Sequence, residues 1–152
     1  MESIIESSEF KIDSVDCRLP IGYYFLDSKE GSMPTFDNIK SGLTFERLVT
    51  VDEKRCVTHT KVPVLSTPMM IDLMEGVSKG LIETLLPPGF ITVGYEVHVK
   101  HKAAAPIGAQ VKTWCKVLEV DGRKLLFEVR VTEGDKVIGE GQHRRTIIPY
   151  SE

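Results

Sequence analysis

Two hydrophobic rhythms run through the chain, and the places where one gives way to the other mark out its elements. Leu43–Val51 (LTFERLVTV) has the residue types and length of a strand. Residues 52–66 are loop-like and close on Val62-Pro63-Val64-Leu65-Ser66. From Thr67 the period turns helical. With Met70 at zero and ~100° per residue, Met70, Leu73, Met74, Val77, Leu81 and Leu85 share one broad stripe, opposite Asp72, Gly76, Lys79 and Glu83. Thr67 is expected as the N-cap, with Pro68 at the first helical position, where its missing N–H costs nothing. Pro87-Pro88-Gly89 stops the helix near Leu86. Four strand patterns follow: Phe90–Lys102, Gln110–Val120, Arg123–Thr132 and Lys136–Ile148. Asp121-Gly122 and Glu133-Gly134-Asp135 are the turns between the last three. One strand, one long amphipathic helix and a run of antiparallel strands predict an α+β domain, its sheet covered on one face by the helix.

The first 40 residues break this order. Pro20, Gly22, Gly31 and Pro34 interrupt them, and they carry eight acids against four bases. Leu19–Leu26 (LPIGYYFL) is nevertheless too apolar to sit comfortably in water. Residues 1–40 are therefore expected as an extension that docks on a main domain of residues 41–152, a disordered leader being the competing reading. The whole chain, 152 residues with 41% hydrophobic and 27% charged, suits one globular domain with a full core. A net charge of −3 offers no basic footprint for nucleic acid or an anionic membrane. No apolar run approaches the ~20 residues that span a bilayer, and Met1–Glu6 is acidic, unlike a secretory signal. Cys17, Cys56 and Cys115 are odd in number and widely spaced. They form neither a disulfide framework nor a zinc motif, so no metal is expected and a reducing cytoplasm fits best.

Candidate chemistry gathers around the helix and the strand after it. Ile91, Val93, Tyr95, Val97 and Val99 share one parity, which predicts the buried face; His101 continues it and should point towards the helix, while His98 points to solvent. A lone inward histidine is also an ordinary core residue. Glu75 falls at ~140° on the wheel, at the border of the apolar stripe. A carboxylate there can face a pocket and act as a base, or form an i,i+4 ion pair with Lys79. Thr67, beside the free N–H groups of a helix start, can bind a carbonyl oxygen as well as cap. Lys100, Lys102, Arg144 and Arg145 read as phosphate contacts or as solvated strand positions. No P-loop, G-x-G-x-x-G, G-x-S-x-G or H-E-x-x-H motif is present.

The run Val64-Leu65-Ser66-Thr67-Pro68-Met69-Met70-Ile71-Asp72-Leu73-Met74-Glu75 resembles the start of the central helix in hotdog-fold thioesterases, specifically the fluoroacetyl-CoA thioesterase-like family. Thr92-Val93-Gly94 and Val99-Lys100-His101-Lys102-Ala103-Ala104-Ala105-Pro106-Ile107-Gly108 are similar to the family's glycine and its histidine-led turn. Val120-Asp121-Gly122-Arg123 and Gly139-Glu140-Gly141-Gln142-His143-Arg144-Arg145 resemble its later hairpin and last strand. The resemblance spans residues 42–149. It implies a hotdog fold, a homodimer and acyl-CoA bound near the subunit interface, with no cofactor beyond the coenzyme A of the substrate. It places the family's catalytic residues on Thr67, Glu75 and His101, its pocket glycine on Gly94 and its pocket-side arginine on Arg145. Val57–Ser66 lacks the phenylalanines that the family's namesake carries before its threonine, a departure from the pattern tied to fluoroacetyl-CoA. The activity implied is metal-free hydrolysis of an acyl-CoA. A non-hydrolytic acyl-CoA binder and a CoA-linked hydratase or dehydratase are the alternatives.

Overall fold

A computed structural model describes residues 34–150, and the structural statements below concern those residues. Strand β1 (Thr44–Thr50) leads through a 3-10 turn (Glu53–Arg55) to the short strands β2 (Cys56–Val57) and β3 (Val64–Leu65). Helix α1 (Thr67–Glu83) follows, then β4 (Phe90–His101), β5 (Gln110–Asp121), β6 (Lys124–Glu133) and β7 (Lys136–Pro149). Five strands form one antiparallel sheet in the order β1-β5-β6-β7-β4, so β1 and β4 are its edges. The turns Gly122-Arg123 and Gly134-Asp135 close the two hairpins, and both glycines sit at φ 56°, as primed two-residue turns require.

The core lies between α1 and the inner face of the sheet. Burial alternates along β5 and β6 with period two: Val111, Thr113, Cys115 and Val117, then Leu125, Phe127, Val129 and Val131, all point inward. They meet Met70, Leu73, Met74, Val77, Leu81 and Ile82 of the helix, which touches every strand of the sheet. Phe36 and Ile39, inside the stretch expected as an extension, also pack here; Phe36 meets Phe90 edge to face, ring centroids 5.4 Å apart. The apolar patch Leu19–Leu26 and Cys17 lie outside the described residues. Cys56 and Cys115 are free thiols, and burial pushes Cys115 up to about 11. Among the described residues no helix is long and apolar enough to cross a membrane.

Four details depart from expectation. Ser66, not Thr67, caps α1: its hydroxyl accepts from the Met69 N–H at 3.3 Å, and Thr67 is already helical. The helix ends at Glu83 with a tighter last turn, in which Leu85 and Leu86 both donate to Ile82 O. The expected loop 52–66 holds the β2–β3 pair, with Cys56 opposite Leu65, because fully buried Leu65 anchors the segment. Finally, the parity of β4 is inverted over its first half. Thr92 is buried and Val93 is 37% exposed, and a register shift between Gly94 and Glu96 restores the expected facing further on. A bulge inserts one residue and exchanges the faces on either side of it.

Candidate active site

Two clusters of polar side chains sit on the helix-facing side of the sheet. The first stands at the start of α1. With Ser66 capping, the Thr67 hydroxyl is released from that task, and Oγ1 lies 2.8 Å from Nδ1 of His101 at the end of β4. Thr67 is exposed and His101 half-buried, so the pair is open to a ligand.

The second cluster lies two helical turns on. Glu75 faces β4 at Gly94, where an added Cβ would collide with its Oε1 and come within 2.7 Å of His143 Cε1. The bare backbone of Gly94 is thus what admits the carboxylate. Glu75 does not pair with Lys79, which instead bridges to Glu83 at 3.3 Å. Its Oε1 is 3.6 Å from Nε2 of His143, while its side chain stays 41% exposed. Arg145, on β7 opposite Gly94, is buried; its Nε donates to Thr92 Oγ1 and its Nη2 to Thr92 O, each at 2.9 Å. Nη1 reaches His143 Nε2 at 3.2 Å, and His143 Nδ1 lies 2.9 Å from the Glu96 carbonyl. Burial pulls the Arg145 guanidinium below its ordinary value, with the Glu75 and Glu83 carboxylates opposing. Burial likewise lowers His143; the Glu96 carbonyl and Glu75 oppose this and the Arg145 charge adds to it.

Thr67 and His101 therefore meet directly, as do Glu75, Gly94 and the Arg145–His143 pair. The two clusters are separated on one chain. Eight residues of helix between Thr67 and Glu75 span about 12 Å, and seven residues of β4 between Gly94 and His101 span about 23 Å. Thr92 and His143 escaped the reading of the sequence. The alternation His143-Arg144-Arg145 carried the signal, since it sends His143 and Arg145 to one face and Arg144 to the other. Arg144 and Lys102 indeed face outward, paired with Glu96 at 3.3 Å and Glu140 at 2.8 Å. A groove of about 380 Å³ on the outer face is lined by Trp114, Arg130, Lys112 and Glu46, whose charges pair among themselves and with Glu128 and Glu140.

The low basicity of His143 has a pH consequence. Its ordinary value is 6.5, and the folded value lies lower. On acidification the unfolded chain therefore takes up a proton before the folded one does. Stability falls as the pH drops through about 6.5 and levels off once the folded imidazole itself is charged. Thermal denaturation from about pH 8 down to pH 5 should show a declining Tm, with a shallower decline in H143Q.

A single long helix laid across the inner face of a five-stranded antiparallel sheet, with polar groups at the helix start and at the edge strand, is a hotdog fold. A hot-dog-like protein from Thermanaerovibrio acidaminovorans superposes with a TM-score of 0.68 at 20% identity, covering 74% of this chain and 86% of that one. The sequence pattern of the fluoroacetyl-CoA-specific thioesterase family matches residues 46–151, and the chain belongs to that family. A fluoroacetyl-CoA thioesterase from Streptantibioticus cattleyicolor is 34% identical over 85 residues, 56% of this chain and 61% of that relative's own length. A solved structure of the fluoroacetyl-CoA thioesterase FlK superposes with a TM-score of 0.68 at 28% identity, over 73% of this chain and 89% of that one.

Proposed function

We propose that this protein is an acyl-CoA thioesterase that hydrolyses its substrate to free acid and CoA without a metal, acting as a homodimer. The observation that carries this reading is the pair of clusters on one face: a hydroxyl bound to an imidazole, and a half-exposed carboxylate beside a bare glycine and a buried guanidinium. A thioester carbonyl is already activated, so positioning and charge stabilisation suffice. Glu75 attacks the carbonyl carbon or activates water for that attack. His101 delivers a proton to the departing thiolate or activates water, and Thr67 orients Glu75 or holds the carbonyl oxygen. Relatives named for fluoroacetyl-CoA support a CoA thioester as substrate. The absence of phenylalanine in Val57–Ser66 points to a different acyl group.

The distance between the clusters supports the dimer. Strand β4 is a long sheet edge, and such edges invite pairing. Antiparallel pairing of two β4 strands about a two-fold at His98, with the bulge at Tyr95 taking up one residue, puts Gly94 opposite the partner subunit's His101. Each thioester would then meet the carboxylate cluster of one subunit and the Thr67–His101 pair of the other. Free cysteines fit a reducing compartment such as the cytoplasm.

The test is a panel of short and medium acyl-CoAs with detection of released thiol, alongside the sedimentation mass. Turnover by a dimer is expected, with H101A at least about a hundredfold slower and still folded. Thermal stabilisation by acyl-CoA with no thiol release would mean a binding protein, and a fully active monomer would end the shared-site arrangement.

A further inference from the structure

His143 is a buried ionisable group for which the reaction outlined above has no use. It is 1% exposed, stacks on Phe127 of β6 at 6.4 Å between centroids, and points at the carboxylate cluster. Its two nitrogens have different partners. Nδ1 faces the Glu96 carbonyl, which can only accept, so Nδ1 carries a hydrogen. In the neutral ring Nε2 is then bare, and it faces the Nη1 donors of Arg145 at 3.2 Å. The remaining guanidinium nitrogens are both fixed on Thr92. His143 is therefore what fixes the third nitrogen and orients the planar cation.

We propose that His143 is a positioning residue: its neutral imidazole, anchored through Nδ1–H on the Glu96 carbonyl at the β4 bulge, holds the Arg145 guanidinium beside the Glu75 carboxylate. This rests on the thioesterase reading for its catalytic consequence, though not for its geometry. The charged and titratable groups facing the ring are Arg145 from its own strand and Glu75 from α1. Phe127 from β6 and Gly94 and the Glu96 carbonyl from β4 complete its surroundings, while the Glu96 carboxylate turns outward to Arg144 and His98. A charged ring would present a hydrogen to Arg145 and could serve only Glu75. It would repel the guanidinium and occupy Glu75 in an ion pair. A neutral ring keeps the cation in place and leaves the carboxylate oxygens free to face the carbonyl carbon.

The test uses the full chain. In wild type, nitrogen-15 spectra of the imidazole at neutral pH should show Nδ1 protonated and Nε2 bare, and R145Q should move the Nε2 resonance. H143F, which keeps the ring's shape, should lower kcat by at least about tenfold with KM within about twofold. H143Q, whose amide oxygen can accept from Arg145, should recover most of that loss. If H143F fails to fold, H143Q against H143N decides, because asparagine retains only the bond to the Glu96 carbonyl and should be the slower. A protonated Nε2, an unmoved resonance in R145Q, or equal activities across these variants overturns the proposal. A wild-type protein that releases no thiol overturns the thioesterase reading alone, and the ring spectra still decide the role of His143.

Discussion

Substituting Glu75 by alanine is expected to lower thiol release from acyl-CoA by about a thousandfold, in the range for loss of a catalytic base or nucleophile. The fold should hardly notice. Glu75 stands at the border of the helix stripe, 41% exposed, with His143 3.6 Å away, and is not among the buried residues of α1. A half-exposed position of this kind costs within about 0.5 kcal/mol of stability. Glu75→Gln is the sharper variant. It keeps the shape against Gly94 and removes the charge, so it should match alanine in lost turnover and wild type in Tm. Retention of more than about a tenth of wild-type kcat in the glutamine variant would sink the assignment, since an amide can neither attack nor accept the proton.

Gly141→Ala should produce the largest loss of stability, about 3 kcal/mol or more, because it overpacks a site where nothing can yield. A Cβ there would overlap the His98 carbonyl and lie 2.6 Å from Val99 Cα, and both are backbone of the neighbouring strand. Strand β4 must then move away from β7 over the pairs His98–Gln142 and Val99–Gly141, two residues short of His101. Activity should fall together with stability. Gly76→Ala is the matched control: nothing lies within 4 Å of a Cβ there, the site is mid-helix, and alanine should gain about 0.5–1 kcal/mol. Denaturant midpoints of the three proteins decide this, and a wild-type midpoint in G141A would refute the steric account.

The periodic part of the fold was legible. The helix stripe, the two hairpin turns and all five long strands appear within about three residues of expectation, because each is written in local hydrophobic spacing. The misses are non-local. Ser66 and Thr67 are both good caps, and only the pull of His101 on the Thr67 hydroxyl, from 34 residues away, separates their roles. The β4 bulge leaves no mark on the apolar pattern, since Ile91, Val93, Tyr95 and Val97 alternate as if the strand were regular. Of the site, the residue types were visible at Thr67, Glu75 and His101. That Arg145 turns inward, and that His143 accompanies it, depends on the pairing of β7 with β4.

That bulge has a consequence for how the chain tolerates change in length. Gly94 and His101 are an odd number of residues apart, so an unbroken ribbon would send one to the helix and the other to the opposite surface. The one supernumerary residue at the kink works as a phase corrector. Deleting Tyr95 leaves Gly94 and His101 an even number of residues apart, so the edge should straighten into a regular strand with the imidazole still on the helix side. Adding two residues there would preserve the facing but displace the imidazole lengthwise. Surface loops such as 58–62 should accept insertions that this single position cannot.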